Sequence, residues 1–401
     1  MRAYLILISA VAALAQSSAD QITGALVDRS LAQHAGVLKT DDQIKLYSTI
    51  AASRPDNQHY KVLLASTYVQ KTRETTDYSY LDRAVAILND VLAADNSNYE
   101  ALRLATETEL ERHLFARAAE SSLRLIQIDG ADPWNWGTLG DAYVEMGGYE
   151  KAADAYQKMV SLRPDLASYN RAAHFRFLFG DAGAAVAIMQ KAIQSGSSMP
   201  ENVAWCMVDL GNIYLKTGKN ELARQEFLDA LRVFPKYPSA YAGLGKTLAA
   251  SGDVKGAIEN YRRAQELVPL PDYASALIDL YERTGNSAEA ARQKELLETI
   301  DRLAVANSEK ANRNLVFAFA DHHMKLDRAL ALAQGELEFR RDVYSYDALA
   351  WALYMNGRYQ EAQDAMDKAE RIGTPEPDFA RHARAIAEAL KKDEAKKEGE
   401  R

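Results

Sequence analysis

Residues 133–166 read PWNWGTLGDAYVEMGGYEKAADAYQKMVSLRPDL, and the spacing inside this stretch decides the fold. With Pro133 as offset 1, Trp136, Leu139, Gly140 and Tyr143 fall at offsets 4, 7, 8 and 11, one stripe of a helix. Gly147 at offset 15 can take the left-handed conformation that ends such a helix. Tyr149, Ala152 and Tyr156 follow at offsets 17, 20 and 24 on a second helix, which Pro164 at offset 32 stops. Small residues at offsets 8 and 20 let the two helices approach closely. The stretch predicts a helix, a tight turn and an antiparallel helix packed on the first.

The pattern returns as Leu210-Gly211, Tyr214, Gly218, Ala223, Phe227, Ala230 and Pro235, and again as Tyr241, Leu244-Gly245, Leu248, Gly252, Ala257, Tyr261, Ala264 and Pro269. Looser copies place offset 7 at Leu64, Ala105, Ala172 or Ala173, Leu277, Val316 and Leu349, with a mean spacing close to 34 residues. None of the ten prolines falls inside an expected helix, and no run alternates with period two. These residues closely resemble the tetratricopeptide repeat family, over residues 41 to 374. The resemblance implies an all-α, right-handed superhelical solenoid of about nine helix-turn-helix repeats.

Outside the repeats, one basic residue and a short apolar run (Tyr4 to Leu14) end in small residues, as in a secretory signal peptide over residues 1–19. The run is too short to span a bilayer comfortably. Residues 20–56 are expected to form an N-terminal helical cap, 57–374 the solenoid and 375–390 a closing helix. The charged segment 391–401 is expected to be a frayed, disordered tail. Thr72 to Tyr80 reads as a long helix-helix loop, and the stretch near Ile300 as a lengthened helix.

The chain carries 48 basic and 56 acidic residues, a net charge of −8, which argues against nucleic-acid binding. Its single cysteine, Cys206, reads as a small buried apolar residue and excludes an internal disulfide. Ala242-Gly243-Leu244-Gly245-Lys246-Thr247 mimics the end of a phosphate-binding loop, but Ala240 stands where its first glycine belongs, and the segment lies inside a helix. Asp321-His322-His323 resembles the signature of a phosphoesterase family without that family's further aspartate motifs. Adjacent histidines diverge on a helix, so His322 is expected to face the groove while His323 packs between helices. Glu109 and His113, four apart, read as a solvated pair on one helix face. No catalytic residue, metal site or cofactor is expected.

In the family, the first helix of each pair lines a concave groove, and its offsets 2, 5, 9, 12 and 13 face ligand. The resemblance thereby selects Trp134, Asp141, Asn170, His174, Phe177, Trp205, Asn212, Lys216 and Lys246 as a peptide-binding groove. Trp134, Phe177 and Trp205 are large aromatics left over once the repeat's core positions are filled, and would share one concavity. The reading is a non-catalytic adaptor holding a protein or peptide partner, exported to a bacterial periplasm or secreted. The rival is an enzyme, or an enzyme's regulatory subunit, acting on an envelope polymer. A convergent polar pocket would mark the rival.

Overall fold

The computed structural model describes residues 38–75, 77–306 and 312–399. The signal-peptide segment and the cap residues before Leu38 lie outside them. The described chain forms two compact units, one ending at Val91 and one beginning at Leu92, with Glu74 and Thr75 grouped in the second.

In the first unit, α1 (Thr40–Ser53), α2 (Gln58–Thr75) and most of α3 (Tyr78–Ala94) pack together. The cap helix thus associates with the first repeat. Lys71 on α2 reaches Asp41 on α1 at 2.7 Å. Tyr68 and Tyr80 stack with ring centroids 6.0 Å apart, and the Arg83 guanidinium lies over both rings. The polar Thr72–Thr75 segment is helix, not loop. None of its residues breaks a helix, and the Thr72 hydroxyl returns a bond to the Tyr68 carbonyl at 3.1 Å.

Among the described residues the second unit holds eight helix pairs and a closing helix. The pairs are α4 (Tyr99–Glu111) with α5 (Phe115–Ile128), α6 (Pro133–Glu145) with α7 (Tyr149–Leu162), α8 (Leu166–Leu178) with α9 (Ala182–Ser195), and α10 (Pro200–Lys216) with α11 (Asn220–Val233). They continue as α12 (Pro238–Ala250) with α13 (Val254–Leu267), α14 (Pro271–Arg283) with α15 (Ser287–Ala306), α16 (Arg313–Asp321) with α17 (Leu326–Glu336), and α18 (Val343–Met355) with α19 (Tyr359–Ala369). The closing helix α20 spans Pro377–Gly399. Proline opens α6, α10, α12 and α14, where its missing N–H is not needed. In the pairs that begin with α6, α10 and α12 a glycine admits an aromatic ring. A Cβ on Gly140, Gly211 or Gly245 would lie 2.3, 2.6 or 2.7 Å from the rings of Tyr156, Phe227 and Tyr261. The lengthened helix near Ile300 is α15, with Leu297 and Ala304 buried. Lys391 to Gly399 continues α20 instead of fraying, since Lys, Ala and Glu are strong helix formers. Among the described residues no helix is long and apolar enough to cross a membrane.

A contact between distant repeats closes the second unit on itself. The turns that follow α6 and α8 receive the segments that precede α18 and α20. The Arg341 N–H donates to the Glu145 carbonyl at 2.8 Å, and the Val343 N–H to the Tyr149 hydroxyl at 3.0 Å. The Thr374 hydroxyl donates to the Leu178 carbonyl at 2.7 Å, and Lys216 pairs with Glu376 at 2.7 Å. Beneath these bonds Tyr149, Tyr156 and Leu178 share one core with Val343, Leu353 and Phe379. We call this contact the seam.

Candidate partner-binding surface

Several polar groups on the row of first helices join one repeat to the next. Asp141 accepts two guanidinium N–H donors of Arg171, at 2.7 to 2.9 Å, and the Tyr156 hydroxyl at 2.8 Å. That aspartate therefore ties α6 to α7 and α8. Trp134 lies under the Arg103 guanidinium at 4.5 Å, and Arg103 is itself held by Asp132 at 2.8 Å. Asn170 approaches the buried Cys206 sulfur at 3.9 Å. Further along, Trp351 donates to Asp321 at 2.9 Å, and His382 meets Asp347 at 2.7 Å. The His322 side chain is buried and bonded to the Ser275 hydroxyl at 2.9 Å. His323 is exposed in a left-handed turn with φ 53°. His322 is therefore the buried one and His323 the exposed one, contrary to expectation, because α16 ends at Asp321 and the chain turns between them.

Phe177 does not line a groove. It is 2% exposed and packs on Ala185 and Ile213 under the Lys216 ammonium. Two local causes turn it inward. The position of the inward tyrosines Tyr143 and Tyr214 is Arg176 here, and the run Ala182-Gly183-Ala184-Ala185 on α9 leaves room for a ring. Lys216 is occupied as well, bonded to Glu376 and flanked by the rings of Phe177 and Tyr344. Three aromatics in one open concavity is thus not the arrangement found. The seam covers the C-terminal ends of α6, α8 and α10 in this row.

What stays open centres on α10. Trp205 is 38% exposed, and Asp209 and Asn212 follow it at i+4 and i+7 on one helix face. Asn212 is half-buried with no hydrogen bond among the described residues, and so is His174 on the preceding first helix. One Asp209 oxygen is buried without a hydrogen-bond partner. Lys246 is exposed on the next first helix, α12. The motif offsets passed over Asp209, although its i+4 spacing from Trp205 marks it in the sequence. Among the described residues no three His, Cys, Asp or Glu side chains gather as metal ligands do.

Charge gathers instead at the seam, where three carboxylates (Glu145, Glu336, Asp342) meet two guanidiniums (Arg313, Arg340). Arg340 reaches Glu145 at 2.6 Å, and Arg313 reaches Glu336 at 3.1 Å and Asp342 at 3.4 Å. Burial, reinforced by Asp342, pushes the Glu145 carboxyl up to about 7 against the pull of Arg340. Burial also raises Asp342, but Arg313 and Arg340 outweigh it and hold that carboxyl below its usual value. His113 does not pair with Glu109. It follows the end of α4 with φ 58°, and Glu109 binds Arg117 at 3.0 Å.

Stacked antiparallel helix pairs with this glycine and aromatic spacing define an all-helical tetratricopeptide-type solenoid. A tetratricopeptide repeat family model matches residues 138–200 and 208–271. The chain is 26% identical over 286 residues to superkiller complex protein 3 of Homo sapiens, a match covering 70% of this chain and 18% of that protein. It is 24% identical over 240 residues to anaphase-promoting complex subunit 7 of Arabidopsis thaliana, covering 59% and 39%. The match therefore spans less than half the length of either curated relative. Among solved structures, the APC/C hetero-tetramer Cut9-Hcn1 superimposes with a TM-score of 0.52 at 15% identity, covering 86% of this chain and 58% of that one. That likeness is one of fold.

Proposed function

We propose that this chain is a non-catalytic scaffold that holds a partner polypeptide on the open face of α10 and its neighbours. The observation that carries the reading is Trp205, an exposed aromatic heading a helix face that also bears an unsatisfied Asp209 oxygen and an unpaired Asn212. A large aromatic beside unsatisfied polar groups is the composition of a binding hot spot. The two curated relatives support it, since both are named as components of multi-protein complexes. We place the protein outside the cytoplasm on the character of residues 1–19 alone.

The test uses the native host and a photo-crosslinking amino acid at position 205 or 212, with position 263 on α13 as control. One discrete protein captured from 205 and 212 but not from 263 supports the reading. Equal capture from all three, or none, overturns it. The mass of the same purified protein reports the compartment: loss of the first 15 to 19 residues supports export, and an intact Met1 refutes it.

A further inference from the structure

Trp134 and Trp205 occupy equivalent places on two first helices. Trp134 stands eleven residues before Glu145, the last residue of α6, and Trp205 eleven before Lys216, the last of α10. Their surroundings differ. Over Trp134 lies the Arg103 guanidinium of the preceding first helix, 4.5 Å from the ring, and Asp132 holds that guanidinium at 2.8 Å. A planar cation stacked on an indole and fixed by a carboxylate is a favourable combination. The residue that corresponds to Arg103 on the helix preceding α10 is Asn170. Each stands eight residues before the end of its helix, Glu111 in α4 and Leu178 in α8. Asn170 is too short to make the stack and turns to the Cys206 sulfur at 3.9 Å. Among the described residues no cation lies over Trp205, which is left 38% exposed.

Asp209, one turn further along α10, makes no hydrogen bond or ion pair among the described residues, and one of its oxygens is buried. The lysines of α10 and α12 are engaged elsewhere. Lys216 feels the Asp209 charge but is bonded to Glu376 at 2.7 Å, and Lys246 acts on Asp272 of α14. A shielded carboxylate oxygen without a donor is costly, and an incoming donor relieves that cost.

We propose that the partner segment held on α10 presents an arginine to Trp205 and Asp209. This rests on the reading of α10 as the partner-binding face and names the group recognised there. The guanidinium stacks on the Trp205 indole as Arg103 does on Trp134, and its N–H groups donate to the Asp209 carboxylate and the Asn212 side-chain oxygen. The carboxylate here comes from one turn after the ring, where Asp132 comes from two residues before it. Lysine lacks the planar face and fits less well. The preference follows from one uncovered indole and one unpaired carboxylate, not from net charge.

Fluorescence anisotropy with the full-length chain at pH 7.5 tests this, using labelled nonapeptides of Gly and Ser with Arg, Lys, Leu or Glu at the centre. The Arg peptide is expected to bind at least tenfold more tightly than the Leu and Glu peptides, with Lys between. Trp205→Leu and Asp209→Asn should each weaken the Arg peptide at least fivefold while the melting temperature holds. Glu221→Gln, which removes an exposed acid of α11, should not weaken it. Asp209→Lys should move the preference to the Glu peptide. Equal binding of the four, tightest binding of Leu or Glu, no detectable binding, or an Arg preference that Asp209→Asn leaves intact would each overturn the proposal. Crosslinking from position 205 in the native host reports separately on the α10 face: a partner captured there through a segment without arginine upholds that reading and overturns this one.

Discussion

Trp205 and Phe177 sit on neighbouring first helices and are equally eligible as binding aromatics by residue type and motif offset. The structure separates them by one substitution and one composition bias: Arg176 in the core-tyrosine position, and the small residues of α9 that open a space. The offset rule describes an average repeat, so it cannot register a void that one repeat creates locally. The consequence is measurable. Trp205→Ala should cost about 2 kcal/mol of partner affinity with little change in melting temperature. Phe177→Ala should cost about 3–5 kcal/mol of stability through the cavity it leaves. Thermal melts and affinity measured on both variants separate the roles, and the opposite pattern would return Phe177 to the binding surface.

At the level of elements, helix identity and turn position are legible wherever a motif glycine or proline is present, as from Pro133 to Pro269. Helix length is legible only where something stops the helix. α2 and α20 outrun their expected ends because the Arg-Glu-Thr and Lys-Asp-Glu-Ala-Lys-Lys-Glu runs that follow contain no breaker. The charges at the seam were illegible, since Glu145 and Asp342 belong to helices that only the fold brings together. They give the seam an unusual pH response. Glu145 is raised to about 7 from its ordinary 4.5, so its contribution is present below 4.5 and lost as pH rises through 7. His113 is lowered from 6.5 to about 4, so its contribution is present above 6.5 and lost as pH falls through 4. The two slopes oppose each other between about 4.5 and 6.5. Relative to the unsubstituted protein, Glu145→Gln should gain melting temperature as pH rises across that range. Relative to the same reference, the gain in melting temperature from His113→Gly should shrink as pH rises from 4.5 to 6.5. Parallel profiles for the two variants would contradict the assignment.

For the second unit as a whole, repeat periodicity foretells only contacts between neighbours, and stability summed over neighbours gives broad, multistate unfolding. The seam adds a contact that no local pattern encodes and couples α6 and α8 to α18 and α20. This unit should therefore melt as one transition for as long as the seam holds. Gly147 is the position to probe: it sits at φ 74°, and a Cβ there would lie 2.5 Å from the Arg341 carbonyl oxygen. Gly147→Ala should split the transition in two and speed hydrogen exchange at the Val343 amide at least tenfold. Gly252→Ala, equally left-handed at φ 84° but with nothing within 4 Å, should cost about 1 kcal/mol and leave one transition. The seam also fixes an order of events in time. Tyr149 and its partner Val343 are 194 residues apart, and ribosomes add roughly 5–20 residues per second. The apolar edge around Tyr149 and Leu178 is thus made about 10–40 s before the segment that covers it. During synthesis that edge is a sticky, half-built surface, and it is where a chaperone would be expected to hold the nascent chain.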